Sequence, residues 1–347
     1  MAFPRARVDL SVLHAPPSGP GPEDAEPHAP RAARARWKPS WLTLTIVTMA
    51  LGALGAGLYP MTAQWVSAYN QSRIIVDYTR TLQTLDPSAE EQLAAAERYN
   101  DALSAGAVLP VNGHVPEGQG ALSTDAPGYL QTLGGSEHAV MGRVRLVTIG
   151  VDLPMYHGTS ERTLQRGAGH LEGSHLPIGG EGRHAVVTAH RGLANAAMFT
   201  RLNEVRVGET FTVELLGNVL SYRVRQTKVV APENTDTIRP EAGADLVTLV
   251  TCTPLGVNSH RILVTGERVL PTPQHDIARA GQESEIPGFA WWALWGLLGL
   301  GAITAYLVRN GRVDARLGAR RSAHRRRTAR VAARGRPGGE VREVRVP

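Results

Sequence analysis

Residues Asp245–Leu270 read DLVTLVTCTPLGVNSHRILVTGERVL. Two runs rich in Val, Leu, Ile and Thr flank a short stretch holding Pro254, Gly256 and Asn258. β-Branched runs with such punctuation between them predict two strands and a connecting loop. The same pattern recurs upstream in RVRLVTIGVDLPMY (Arg143–Tyr156), HAVVTAH (His184–His190), ETFTVELL (Glu209–Leu216) and VLSYRVRQTKVV (Val219–Val230). Gly217-Asn218 between the last two is a hairpin signal. One short helix is predicted at Ala194–Asn203. Residues 139–271 therefore read as an all-β domain with short helices, a barrel or a sandwich.

Outside this domain the pattern changes. WLTLTIVTMALGALGAGLY (Trp41–Tyr59) and IPGFAWWALWGLLGLGAITAYLV (Ile286–Val308) carry no charged residue. A helix rises about 1.5 Å per residue, so each can cross a hydrocarbon layer of about 30 Å. We place transmembrane helices at 39–60 and 286–308. Arg31, Arg34, Arg36 and Lys38 precede the first, and Arg309, Arg312, Arg316 and ten further arginines follow the second. Basic flanks stay in the cytoplasm, so both termini face inward and the domain between them faces outward. The Trp residues near both ends suit the membrane interfaces.

The remaining boundaries follow from composition. Residues 1–38 are rich in Pro, Ala and Gly and read as a disordered tail. Residues 61–105 read as helix, interrupted by Pro87. Residues 106–138 read as a loop, 272–285 as a polar linker and 309–347 as a basic tail. The chain of 347 residues is 42% hydrophobic, which excludes wholesale disorder. Its net charge of +6 is a property of the tails, since residues 309–347 carry +10 and residues 1–38 carry +2. The stretch between them sums to −6, which argues against nucleic acid as a partner of the outer domain. Only Lys38 and Lys228 are lysines, a bias read as GC-rich coding.

Cys252 is the single cysteine. That excludes an intramolecular disulfide and any one-chain zinc site with two thiolates. Two readings of Cys252 stand: a buried structural thiol, or a nucleophile at a strand end. An unpaired thiol outside the membrane is an oxidation hazard, which weighs against an idle one. A nucleophilic thiol needs a group that favours thiolate and an acid for the leaving group. His190 closes the strand-like HAVVTAH, and Arg261 opens the strand that follows Cys252. Each alone has a plain structural reading. His157, His170, His175 and His184 fall close together, which raises a zinc alternative; no HExxH motif accompanies them, and the reading assigns no metal and no cofactor.

The segment TLVTCTPLGVNSHR (Thr248–Arg261) resembles the signature of the sortases, a strand ending in Thr-Cys with an Arg downstream. Its TCTP start and Asn-x-His-Arg finish resemble class C, the pilus-assembling sortases of Gram-positive bacteria. LPMYHGTSERTLQRGAGHLEGSHLPIGGEGRHAVVTAHRGL (Leu153–Leu193) and the two apolar anchors extend the resemblance over about residues 60–308. It implies a sortase β-barrel with Cys252 as nucleophile, His190 as general acid/base and Arg261 orienting substrate and oxyanion. Thr251, Thr188 and Asn258 are expected to support the substrate pocket. The implied reaction cleaves an LPxTG-type sorting signal between Thr and Gly through a thioacyl enzyme. The implied partners are LPxTG-type surface or pilin proteins, with a pilin lysine or a cell-wall precursor amine as acceptor. Anchoring of single proteins, simple cysteine proteolysis and a non-catalytic scaffold are the alternatives. Class C enzymes carry an Asp-Pro-aromatic lid motif. Here 106–138 holds only Asp125-Ala126-Pro127-Gly128-Tyr129, at stretched spacing, and Asp86-Pro87-Ser88 falls in the helical region without an aromatic.

Overall fold

The computed structural model describes residues 37–103, 128–134 and 139–334. The disordered-tail reading of 1–36, most of the lid-like loop and the last part of the basic tail lie outside these residues. The chain divides into two compact units, Met1–Val47 with Thr304–Pro347, and Thr48–Ile303.

The larger unit holds a closed barrel of eight strands. In chain order they are β1 (Val140–Leu146), β2 (Val151–His157), β3 (Ala168–His170), β4 (Arg183–Thr188), β5 (Thr210–Leu215), β6 (Asn218–Val230), β7 (Asp245–Thr253) and β8 (His260–Arg268). Around the barrel the order is β1-β2-β3-β4-β7-β8-β6-β5, with β5 pairing back to β1. Of the neighbouring pairs, β2/β3 and β4/β7 are parallel and the others antiparallel. Closure leaves no long edge for another chain to pair with. Val144, Val187, Leu249, Val264, Phe211 and Tyr222 fill the interior, each almost wholly buried.

Several expectations are refined. RVRLVTIGVDLPMY is two strands, split by a 3-10 turn at Val147–Ile149. The β5–β6 turn is centred on Leu216-Gly217, one position before the predicted pair. Both residues have positive φ, 47° and 86°, as a tight two-residue hairpin requires. No helix forms at Ala194–Asn203. That segment is a series of turns with a 3-10 turn at Leu202–Glu204, and Met198 has φ 41°, in the left-handed region that a right-handed helix cannot use.

Helix α1 (Trp41–Thr81) runs through Pro60 without a break, from the predicted anchor into the helical region that follows. Helix α2 (Ala89–Ala102) starts after Asp86-Pro87, with Ser88 and Glu91 forming a reciprocal capping box. Asp86-Pro87 thus marks the gap between two helices rather than the interior of one. Tyr78 of α1 donates to the Met141 carbonyl (3.3 Å) and accepts from the Leu216 N–H (2.9 Å), fastening the helix to the barrel. Asn100 of α2 bonds both the N–H and the carbonyl of Leu176, at 2.7 and 3.0 Å.

The short helix α3 (Glu161–Arg166) lies between β2 and β3 and is capped by the Ser160 hydroxyl. The linker is more ordered than its polarity suggests. It contains helix α4 (Gln274–Ala278), whose buried Asp276 accepts from the Ser221 hydroxyl at 2.6 Å. Buried Arg143 forks onto Asp152 (2.6 Å twice) and also donates to the Gln282 carbonyl at 2.9 Å. These bonds fasten the linker across the barrel wall.

Helix α5 (Trp291–Arg334) continues well beyond the predicted end of the second anchor. Both α1 and α5 are long and apolar enough to cross a membrane. In the smaller unit, Asp314 accepts from the Ser40 N–H (2.8 Å) and the Thr43 hydroxyl (3.0 Å), capping the first turn of α1. These hydrogen bonds hold its carboxyl below the usual carboxylate range.

Candidate active site

Cys252 is the penultimate residue of β7, the strand between β4 and β8. It is unpaired and half-buried. On the β8 side, antiparallel register sets Cys252 directly opposite Arg261. Directly opposed residues share one face of a sheet, with Cβ atoms about 5 Å apart. The Pro254–Ser259 loop closes that register, with the Val257 and Asn258 N–H groups both donating to the Pro254 carbonyl.

On the other side, the parallel ladder with β4 ends at Thr188 beside Val250. The alignment continues beyond it. The Ala189 N–H donates to the Val250 carbonyl (3.2 Å), and the wholly buried Thr251 hydroxyl donates to the Ala189 carbonyl (2.7 Å). His190 follows Ala189 directly, beyond the end of the β4 ladder.

The turns after His190 hold it there. The Phe199 N–H donates to the His190 carbonyl at 3.0 Å. Arg191 donates to the Thr200 carbonyl, the Asn203 amide oxygen and the Thr253 hydroxyl, at 3.1, 2.9 and 2.9 Å. It thus ties the His190 turn to the Cys252 strand. Gly192, with φ 79°, lets the next loop close in: an added Cβ would stand 2.4 Å from Leu255. These contacts replace the predicted helix. Alanine favours helix, but the tertiary bonds claim the backbone.

Arg261 Nη1 donates to the carbonyls of Asn258 (2.9 Å) and His260 (3.1 Å). Asn258 is exposed with φ 58°, so its backbone carbonyl is what orients the guanidinium. Guanidinium carries five N–H donors. Those on Nε and Nη2 of Arg261 have no protein partner among the described residues. Thr188 is half-buried at the end of β4. Thr251 acts as a clamp between strands.

Sequence reasoning missed Glu161. From the first turn of α3, its Oε2 stands 3.2 Å from His190 Nε2. The contact is an ion pair only when His190 is protonated, and it lies off the line of an aligned hydrogen bond. No local pattern joins positions so far apart. Arg191 was also missed as a positioning group, although it directly follows His190.

His157, His170, His175 and His184 are built into the core. His170 contacts the Tyr129 hydroxyl through Nδ1 (2.9 Å) and the His175 carbonyl through Nε2 (2.8 Å). His184 contacts the Arg239 carbonyl (2.9 Å) and the Thr248 hydroxyl (2.7 Å). Burial pushes His157 and His175 down to about 4 and His170 to about 3. Among the described residues no three His, Cys, Asp or Glu side chains are grouped to hold a metal. Tyr129, the aromatic of the stretched lid-like sequence, is buried here and accepts from the Gly158 N–H, while Asp125–Pro127 lie outside the described residues.

A half-buried thiol at the end of a barrel strand, with a guanidinium directly opposite in register, is compatible with a cysteine nucleophile. Residues 144–269 match the Sortase domain family. Sortase C-1 of Streptococcus pneumoniae is 40% identical, with 58% of this chain and 100% of that one covered and a TM-score of 0.50. Sortase C1 of Streptococcus agalactiae is 37% identical, with 58% and 98% covered and the same TM-score of 0.50. Sortase D of Bacillus subtilis is 28% identical over 131 residues, 37% of this chain and 63% of that protein, so this match spans less than two thirds of that relative. The chain belongs to the sortase family, whose members are cysteine transpeptidases, and its solved relatives support class C.

Proposed function

We propose that the chain is a membrane-anchored transpeptidase that cuts an LPxTG-type signal between Thr and Gly and joins it to a pilin lysine. The carrying observation is the register of β7 and β8, which pairs Cys252 with Arg261, together with the hydrogen bonds that bring Ala189, just before His190, alongside β7. The Cys252 thiolate attacks the Thr carbonyl. Arg261, with donors on Nε and Nη2 to offer, stabilises the oxyanion. His190 protonates the departing Gly amine, leaving a thioester on Cys252. The lysine amine then attacks that thioester, His190 takes its proton, and an isopeptide bond replaces the thioester. Exposed Leu255 and Val257, on the loop after Cys252, offer apolar contact to the signal's Leu-Pro. Two membrane-spanning helices with basic flanks support a catalytic domain outside the cell and both termini inside.

The test is transfer by the full chain in detergent, from an LPxTG-type peptide to a lysine-bearing pilin. A peptide–lysine product that disappears in Cys252→Ala supports the proposal. Hydrolysis alone at saturating amine would instead favour a protease. Transfer only to a wall-precursor amine would favour anchoring of single proteins.

A further inference from the structure

We propose that Glu161 is a positioning residue for this reaction, holding the His190 imidazole through the contact of its carboxylate. The inference rests on the transpeptidase reading, in which His190 carries a proton for the leaving amine. The carboxylate is itself held: Oε1 accepts from the Gln165 amide at 2.9 Å, which leaves Oε2 at 3.2 Å from His190 Nε2. Ser160 caps the turn that presents it. The imidazole is 22% exposed and its Nε2 is buried, with no aligned hydrogen bond, so the nearby carboxylate is its principal electrostatic partner.

The other charged or titratable groups around the imidazole come from β7, β8 and its own turn. Cys252 lies on β7, the strand paired with the one that leads to His190. Arg261 lies across β7, bonded back to its own loop. The Arg191 guanidinium is committed to Thr200, Asn203 and Thr253. Glu161 is therefore the anion that offsets these cations. When the Cys252 proton moves to His190, thiolate and imidazolium form together, and the Glu161 carboxylate 3.2 Å from Nε2 faces the imidazolium. When the tetrahedral intermediate collapses, the same proton passes to the Gly amine. Glu161 binds no substrate and gains no proton.

The chain's single cysteine allows a direct test. Intact mass follows alkylation of Cys252 by iodoacetamide in the full chain at neutral pH, and its rate reads the thiolate fraction. Glu161 is 57% exposed, so the effect is that of a solvent-screened pair. Glu161→Gln keeps the shape and removes the charge. It should slow alkylation and peptide transfer about two- to fivefold. In a His190→Ala background the same substitution should change the alkylation rate by nothing measurable. Equal rates for wild type and Glu161→Gln, or an equal slowing in the absence of His190, would overturn the proposal. If wild type fails to transfer peptide, the transpeptidase reading falls, while the alkylation comparison still judges the Glu161–His190 pair.

Discussion

A thiol at a strand end is a modest nucleophile until its proton has somewhere to go and its product oxyanion has a donor. Cys252 has a candidate for each, on opposite flanks. The Arg261 flank was legible from the chain, because a short loop between two strand-like runs turns the second back onto the first. The His190 flank was legible only as a strand-ending histidine. What lies next to that strand end depends on a parallel pairing between distant strands, which only the fold supplies. Glu161 was not legible at all. At this scale we expect Arg261→Ala to lower kcat/KM for peptide transfer by about 100- to 1,000-fold, the cost of removing an oxyanion donor. Its Cys252 alkylation rate should stay within a few-fold of wild type. A variant that transfers peptide normally would remove Arg261 from the oxyanion role.

At the scale of elements, the site is a junction of three strands, and Thr251 holds two of them together. Its hydroxyl is the partner of a buried Ala189 carbonyl one residue before His190. Thr251→Val keeps the shape and leaves that acceptor unsatisfied, at a cost of about 1–3 kcal/mol. Denaturant unfolding should show that loss, and transfer should fall with it as His190 loosens. Unchanged stability would mean that the carbonyl finds another donor. Strand runs were read well because inward Val, Leu and Ile alternate or cluster as the barrel wall requires. The Ala194–Asn203 segment was misread because local propensity is weak against bonds such as Phe199 N–H to the His190 carbonyl. Strand β3 escaped notice because Ala168-Gly169-His170 contains no β-branched residue and is only three residues long.

For the whole molecule, the buried histidines set an acid limit. His157, His170 and His175 fall from the usual 6.5 to about 4, 3 and 4 because burial disfavours their charged forms. Such groups contribute fully above the unfolded value of 6.5, and the contribution is lost as pH falls through the folded values. Between about pH 6.5 and 5 each should cost about 2 kcal/mol, before most carboxylates begin to titrate. The urea midpoint of the full chain should therefore drop across that window. A flat midpoint would show that these histidines are hydrated or paired in the native state.

The most direct measurement is intact mass of the full chain after incubation with an LPxTG-type peptide. The account predicts a covalent adduct equal to the peptide up to its Thr, located on Cys252, lost in Cys252→Ala and released by an added amine. Cleavage of the peptide at an unchanged rate by Cys252→Ala would contradict it.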